Sequence, residues 1–162
     1  MAGTVWTRRR AVAGLASLAA LSGRPARAAD SALPVPASLQ VAARAAARRG
    51  EPLVLLVSLP GCPYCELVRR SYLLPLRAEG LHAWQIDVTD RRQVVHDFKG
   101  QPATGAGLAE RWKAGFTPTV LFFDARGQEL APRLVGVAVP DFYGAYLDEA
   151  LATARKKLAA AS

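Results

Sequence analysis

Three rhythms of apolar and polar positions divide the chain into elements. Leu53-Val54-Leu55-Leu56-Val57-Ser58-Leu59 is apolar with no alternation, the pattern of a strand covered on both faces, as central parallel strands are. His82-Ala83-Trp84-Gln85-Ile86-Asp87-Val88 alternates, with Trp84, Ile86 and Val88 on one side, which predicts a half-buried strand. Tyr143, Leu147, Ala150, Ala154 and Leu158 recur at helical spacing and predict a long final helix with one apolar stripe.

Stop and start residues set the remaining boundaries. Ser31 to Ala37 reads as a short linker with Pro34 and Pro36. Ser38 caps a helix to about Arg49, and Gly50 fits the residue just past its end. A second helix opens at Cys62 and runs to Leu73-Leu74-Pro75. It is expected to end or kink there, because Pro75 lacks the N–H that would bond to Ser71. Asp90 to Phe98 reads as a short helix, Lys99-Gly100-Gln101-Pro102 as a loop, and Thr104 to Lys113 as a helix with Leu108 and Trp112 inward, stopped at Gly115. Pro118 to Phe123 is a strand, and Asp124-Ala125-Arg126-Gly127 a type I turn with glycine last. Gln128 to Val137 returns antiparallel, and Pro132 inside it marks an edge strand, where a missing donor faces solvent. Asp141 is expected to cap the last helix, with Lys156 and Lys157 where its dipole favours cations. There are no internal repeats.

Composition sharpens this picture mainly through charge. With 162 residues the chain suits one domain with its own core. The formal charge is +8, but Arg8, Arg9, Arg10, Arg24 and Arg27 all lie in the first 28 residues, and without them it falls to +3. The other arginines are scattered with no aromatic-interleaved basic stripe, which argues against nucleic acid as a partner. The first residues read instead as an export signal. A basic stretch ends at Arg10, and the apolar run Ala11 to Ser22, 12 residues long, is too short to span a bilayer as a helix. Ala26-Arg27-Ala28 supplies the small-x-small cleavage pattern, predicting a cleaved segment 1–28 and a mature start near Ala29. Thr7-Arg8-Arg9 resembles a twin-arginine motif, though Ala11 and Val12 stand where that motif prefers Phe and Leu. The expected location is the periplasm of a Gram-negative bacterium, soluble after cleavage. An uncleaved membrane anchor is the alternative. No cysteine lies near the cleavage site, which excludes a lipoprotein.

The chemistry sits in Cys62-Pro63-Tyr64-Cys65, which holds the only two cysteines of the chain. A C-x-x-C pair between a buried strand and a helix is a redox arrangement. A thiolate attacks a disulfide where a thiol does not, and a helix N-terminus stabilises one through its unpaired N–H groups and dipole. Such positions lower a cysteine pKa from ~8.5 into the range ~3.5–7.5. Cys65, one turn on and deeper, is placed to attack a mixed disulfide on Cys62. Pro63 suits the first turn, where no N–H is missed, and Tyr64 adds an exposed aromatic for substrate contact. An inert disulfide is a weaker reading, because so short a loop constrains little in the unfolded chain. A soft-metal carrier remains the alternative chemistry. A four-thiolate zinc site in one chain is excluded by the cysteine count. His82 and His96 read as a strand-start and a solvated helix residue. Trp84, Trp112, Phe122 and Phe123 read as core, and Asp87 as a cap.

These residues identify the chain as similar to the thioredoxin-like superfamily. Three features over roughly residues 38–160 carry the resemblance: Cys62-Pro63-Tyr64-Cys65 after an apolar strand, Phe116-Thr117-Pro118-Thr119 opening the next central strand, and the hairpin after Phe122-Phe123-Asp124. Exported bacterial thioredoxin-like proteins, including those accompanying sulfur-oxidation systems, are the most similar group. The resemblance implies an α/β thioredoxin fold over 38–162, a central four-stranded mixed sheet flanked by helices. It also implies a cis Thr117–Pro118 bond whose Thr117 backbone pairs with an extended substrate segment. The activity implied is that of a thiol:disulfide oxidoreductase acting on protein thiols and disulfides, needing no cofactor. The preferred direction is reduction of a specific exported partner, with re-reduction by a membrane thiol donor. A redox-inactive binding module on the same scaffold is the further alternative.

The chain departs from the family in places. Many thioredoxins carry a buried acid six residues before the first cysteine, where Leu56 stands here. Glu66 follows Cys65 and reads as a solvated first-turn residue. Pro-Tyr between the cysteines is the glutaredoxin dipeptide. The late paired glycines that glutaredoxins use for glutathione are missing, and Gly136 stands alone before Val137, which argues against glutathione dependence.

Overall fold

The computed structural model describes Gly3 and residues 32–161; the export-signal segment lies outside the described residues. Four strands make the central sheet: β1 (Leu53–Ser58), β2 (Ala83–Asp87), β5 (Thr119–Phe123) and β6 (Leu134–Val135), in the order β2-β1-β5-β6. β1 runs parallel to β2, with Val54 opposite Ala83 and Ser58 opposite Asp87, and antiparallel to β5, with Leu55 opposite Leu121. The mixed four-stranded sheet expected of a thioredoxin fold is therefore present.

Helices cover both faces. On one, Val54 and Leu56 of β1 and Val120 and Phe122 of β5 pack against the helix that follows Cys62, through Val68 and Leu73, and against α5 (Tyr143–Ala160), through Leu147, Ala150 and Leu151. On the other, Leu53, Leu55, Val57, Leu121 and Phe123 meet α1 (Leu39–Ala47) and α4 (Gly105–Arg111). Every residue of β1 is buried, which explains the absence of alternation in its sequence. β2 shows its alternation as predicted: Ile86, with Trp84 and Val88 beside it, faces the α1–α4 layer. Its other face is covered as well, through Ala83.

Helix boundaries confirm some of the stop signals. The Ser38 hydroxyl accepts from the Val41 N–H, and the Thr104 hydroxyl caps α4 by accepting from the Gly107 N–H. Gly105 follows that cap against the end of β2, where a Cβ would meet the Asp87 carbonyl oxygen at 2.2 Å. Only a residue without a side chain lets helix and strand approach so closely.

Other expectations are corrected. The helix opening at Cys62 continues beyond Pro75: α2 (Pro63–Val68) passes through a π-helical turn (Arg69–Leu73) into α3 (Leu74–Ala78). Widening the turn ahead of the proline absorbs the ring and the missing donor without ending the helix. Residues 90–98 are no helix. The Asp90 carboxylate accepts from the Arg92 and Gln93 N–H groups, an Asx turn that competes with helix formation. The chain then forms a small hairpin, β3 (Val95–His96) with β4 (Pro102–Ala103), so His96 lies on an exposed strand. α4 ends at Arg111, and Lys113, just past the cap residue Trp112, takes a φ of 54°, so the helix stops short of Gly115. Nor does Asp141 cap α5. It lies in a 3₁₀ turn (Pro140–Phe142), and Phe142 occupies the cap position with no side-chain bond. The return after the Asp124 turn narrows to two residues, with Leu130 and Ala131 buried ahead of Pro132. β6 is the edge strand Pro132 foretold. Leu33 and Pro36 are buried, the Pro34 carbonyl accepts from Gln85 N–H, and Ala37 accepts from His96 N–H. The proline-rich stretch thus straps the open edge of β2.

Asp97 organises the hairpin. Its buried carboxylate accepts from the Lys99 N–H (2.8 Å), the Gln101 N–H (2.9 Å) and Arg111 Nη1 (2.6 Å). Burial pushes its pKa up, but the Gln101, Arg111 and Lys99 hydrogen bonds outweigh it and hold the carboxyl below its ordinary value. A depressed folded pKa gives stability that is present above the ordinary carboxylate range and lost as pH falls through the folded value. Asp97→Asn is therefore expected to cost about 1–3 kcal/mol at pH 7. In urea unfolding the gap between variant and parent should narrow below about pH 4; a gap independent of pH would show that the charge is not what matters.

Candidate functional site

The site begins where β1 hands the chain to α2. Cys62 sits in extended geometry as the cap of α2, and its Sγ accepts the Cys65 N–H at 3.2 Å. Its carbonyl accepts the Glu66 N–H at 3.1 Å. Pro63 occupies the first helical turn, where no donor is lost. The two cysteines are joined as a disulfide with Cα atoms 5.2 Å apart. Cys62 is half-buried, whereas Cys65 is 1% exposed. One residue of the pair is thus partly open to solvent and the other is buried, while Tyr64 between them is 53% exposed.

A second segment completes the surface. The Thr117–Pro118 peptide is cis, as the resemblance implied. The loop is fixed by the Thr119 hydroxyl donating to the Phe116 carbonyl (2.7 Å) and by the Pro118 carbonyl accepting the Gly136 N–H (2.7 Å). Among the described residues, nothing pairs with the Thr117 N–H or C=O. Gly136 has a φ of 69°, and a Cβ there would stand 3.0 Å from the Phe116 ring, so glycine keeps the ring in place. Tyr64, Phe116, Thr117, Pro118 and the segment 135–138 line one apolar groove of about 260 Å³. Phe116 is 65% exposed. Tyr64 and Phe116 thus present two exposed rings on one groove beside the unpaired Thr117 backbone.

Sequence reasoning located Cys62, Cys65, Tyr64, Thr117 and Pro118, and the structure places the last three along the same groove. It missed the role of Phe116 as an exposed wall, and it missed Arg69. Cys65, Val68, Arg69 and Leu73 form one inward helical face, so the signal was an arginine at an apolar position. Its side chain is 8% exposed. The guanidinium donates to Ser58 Oγ (2.7 Å), Gln85 Oε1 (2.7 Å) and the Glu66 carboxylate. The Arg69 hydrogen bond, with smaller help from Arg70, holds the Glu66 carboxyl below its ordinary value. Glu66 is thus half-exposed and ion-paired.

The other candidates have local or core roles. His82 precedes β2, where burial pushes its pKa down. Asp87 accepts from the Thr89 N–H and hydroxyl as a local cap. Phe122 and Phe123 are fully buried core residues, and Trp84 and Trp112 pack on that core. Among the described residues, no helix is long and apolar enough to cross a membrane.

Comparison with known proteins agrees with this architecture. Thioredoxin O2 from Arabidopsis thaliana in its oxidized state superposes with a TM-score of 0.50 at 16% identity, over 75% of this chain and 96% of that one. The periplasmic thioredoxin SoxS from Paracoccus pantotrophus scores 0.40 at 20% identity, over 64% and 99%. An oxidoreductase named DsbH scores 0.47 at 18% identity, over 90% and 95%. No curated protein matches the chain. The sequence profile of the Thioredoxin-like domain matches residues 39–151, and with the helix-capping cysteine pair and the cis-proline loop already in place, the chain belongs to that family.

Proposed function

We propose that the protein is a periplasmic thiol:disulfide oxidoreductase that cycles Cys62 and Cys65 between dithiol and disulfide on protein substrates, and that it acts as a reductant of a particular exported partner. The observation that carries this reading is the Cys65 N–H aimed at Cys62 Sγ, with that sulfur half-open and its partner buried. A donor at the sulfur and a helix N-terminus behind it both stabilise a thiolate. In the reducing direction, the Cys62 thiolate attacks a substrate disulfide and expels one substrate thiolate, which takes a proton. Cys65 then loses its proton and attacks Cys62 Sγ, which releases the second substrate thiolate. Two electrons pass to the substrate, and the Cys62–Cys65 disulfide remains to be reduced by an external dithiol, here a membrane thiol donor.

The groove supplies the binding. An extended segment pairs with the free N–H and C=O of Thr117 while Tyr64 and Phe116 cover its apolar side chains, a strand-addition mode. Removal of residues 1–28 on export would leave 29–37 as a short linker ahead of the domain at 38–162, its proline-rich part strapped along β2.

A Cys65→Ser variant tests the scheme. It keeps the first attack and lacks the resolving sulfur, so it should accumulate a mixed disulfide through Cys62 with periplasmic proteins. The parent protein should reduce insulin with dithiothreitol. Stoichiometric retention of Cu(I) by the parent with no insulin turnover and no trapped adduct would replace this reading with a metal carrier.

A further inference from the structure

The buried arginine has no part in the scheme above, yet it lies one helical turn from the resolving cysteine. Its backbone N–H bonds to the Cys65 carbonyl, and helical side chains lean toward the N-terminus, so the Arg69 side chain points back along the turn that carries Cys65. Its contacts with Ser58 and Gln85 pin the guanidinium at the carboxyl end of β1, four residues before Cys62 in the chain, and beside the middle of β2. Resting on the redox reading of the pair, we propose that Arg69 is an electrostatic positioning residue that stabilises the thiolate form of the Cys62–Cys65 couple and makes it a stronger oxidant than its core alone would.

Solvent screens the two charges of the Arg69–Glu66 pair unequally. Arg69 is 8% exposed, while its anionic partner Glu66 is 48% exposed. Water screens the carboxylate far more than the guanidinium, so the pair leaves a net positive potential inside the fold. Arg70 is exposed and bonded to the other Glu66 oxygen. Asp87 and Asp90 line the pocket of about 220 Å³ that also holds Ser58, Gln85 and Arg69. Both are part-exposed and bonded to local backbone N–H groups, so they offset Arg69 only partly. Leu56, Ser58 and Gln85 carry no charge, so no buried anion on β1 or β2 opposes it. A thiolate exists only in the reduced form, and whatever favours it raises the reduction potential.

Two substitutions should move the couple in opposite directions. Arg69→Met is expected to raise the Cys62 pKa by about one unit. It should also shift the equilibrium with glutathione about tenfold toward the disulfide, which is ~30 mV more reducing. Glu66→Gln removes the ion-pair partner of the guanidinium, and should lower the Cys62 pKa and shift the equilibrium the other way. Arg69→Lys, which keeps the charge, should recover most of the parent value. The pKa is read from the pH dependence of iodoacetamide alkylation of the reduced protein, a measurement that needs no turnover. Opposite shifts in the two variants support the assignment even if insulin is not reduced, in which case the enzymatic reading alone falls. Should Arg69→Met fail to fold, Glu66→Gln decides: an unchanged or raised Cys62 pKa overturns the proposal. An Arg69→Met variant that loses stability while keeping the parent pKa and potential would reduce Arg69 to a structural role.

Discussion

Cys62→Ser is expected to lower disulfide reductase activity by about a thousandfold or more, while leaving the fold in place. The first attack needs a polarisable sulfur carrying negative charge at neutral pH, and a hydroxyl provides neither. The buried Cys65 cannot substitute, because at 1% exposure a substrate disulfide does not reach it. Stability should change little. The loop closed by the disulfide spans a sequence separation of three, and a loop that short removes little entropy from the unfolded chain. A serine also retains an oxygen at the cap position, where serine is a preferred residue for the N–H now donated to Cys62 Sγ. Insulin turbidity gives the rate, and urea unfolding under reducing conditions gives the stability. Substantial residual turnover in the variant would move the nucleophile elsewhere and dissolve the assignment of the whole site.

The contrast between Cys62 and Arg69 shows what a sequence exposes and what it hides. Cys62 was legible because its position follows from local rules: a fully apolar strand, a cap position, a proline at the first turn, and a second thiol one turn later. The cis-proline loop was legible by family resemblance through Phe116-Thr117-Pro118-Thr119. Arg69 was not, because its burial depends on Ser58 and Gln85 arriving from two different strands. The periodicity of the helix marked its face as inward, but arginine is seldom fully buried, and a charged residue reads as solvent-facing. The Asp90–Phe98 stretch failed for a related reason. Asp90 bonds its own backbone two and three residues on, and the Pro-rich strap supplies partners for His96. Ala37 stands 59 residues from His96, so that pairing leaves no local signal, whereas the turn at Asp90 is local and its competition with a helix went unread. Pro75 was expected to end or kink its helix; the helix runs on to Ala78, and the irregularity takes the form of the widened turn at Arg69–Leu73.

Phe123→Ala is expected to destabilise the protein by about 3–5 kcal/mol, and this loss locates the role of the hairpin that the sequence left unread. Phe123 is 1% exposed at the end of β5. Its ring centroid stands 4.9 Å from Phe98 at the hairpin and 5.1 Å from Trp112 at the end of α4, with the rings tilted as aromatic pairs prefer. Gly127 seals the same cluster, since a Cβ there would meet Phe98 at 2.4 Å. Truncating Phe123 removes a core ring and leaves both neighbours without their shared contact, so the cost combines lost transfer energy with a cavity the rigid sheet cannot close. The hairpin thus caps the sheet on the α1–α4 side, while the cysteines and the cis-proline groove lie outside this aromatic cluster. Below its unfolding midpoint the variant should therefore retain the parent's insulin-reduction rate, so that activity and stability separate in the direction opposite to Cys62→Ser. Urea unfolding followed by tryptophan fluorescence measures the stability. A loss below about 1 kcal/mol would mean that the hairpin is a passenger on the sheet, and a fall in rate at full folding would mean that the cluster reaches the redox site.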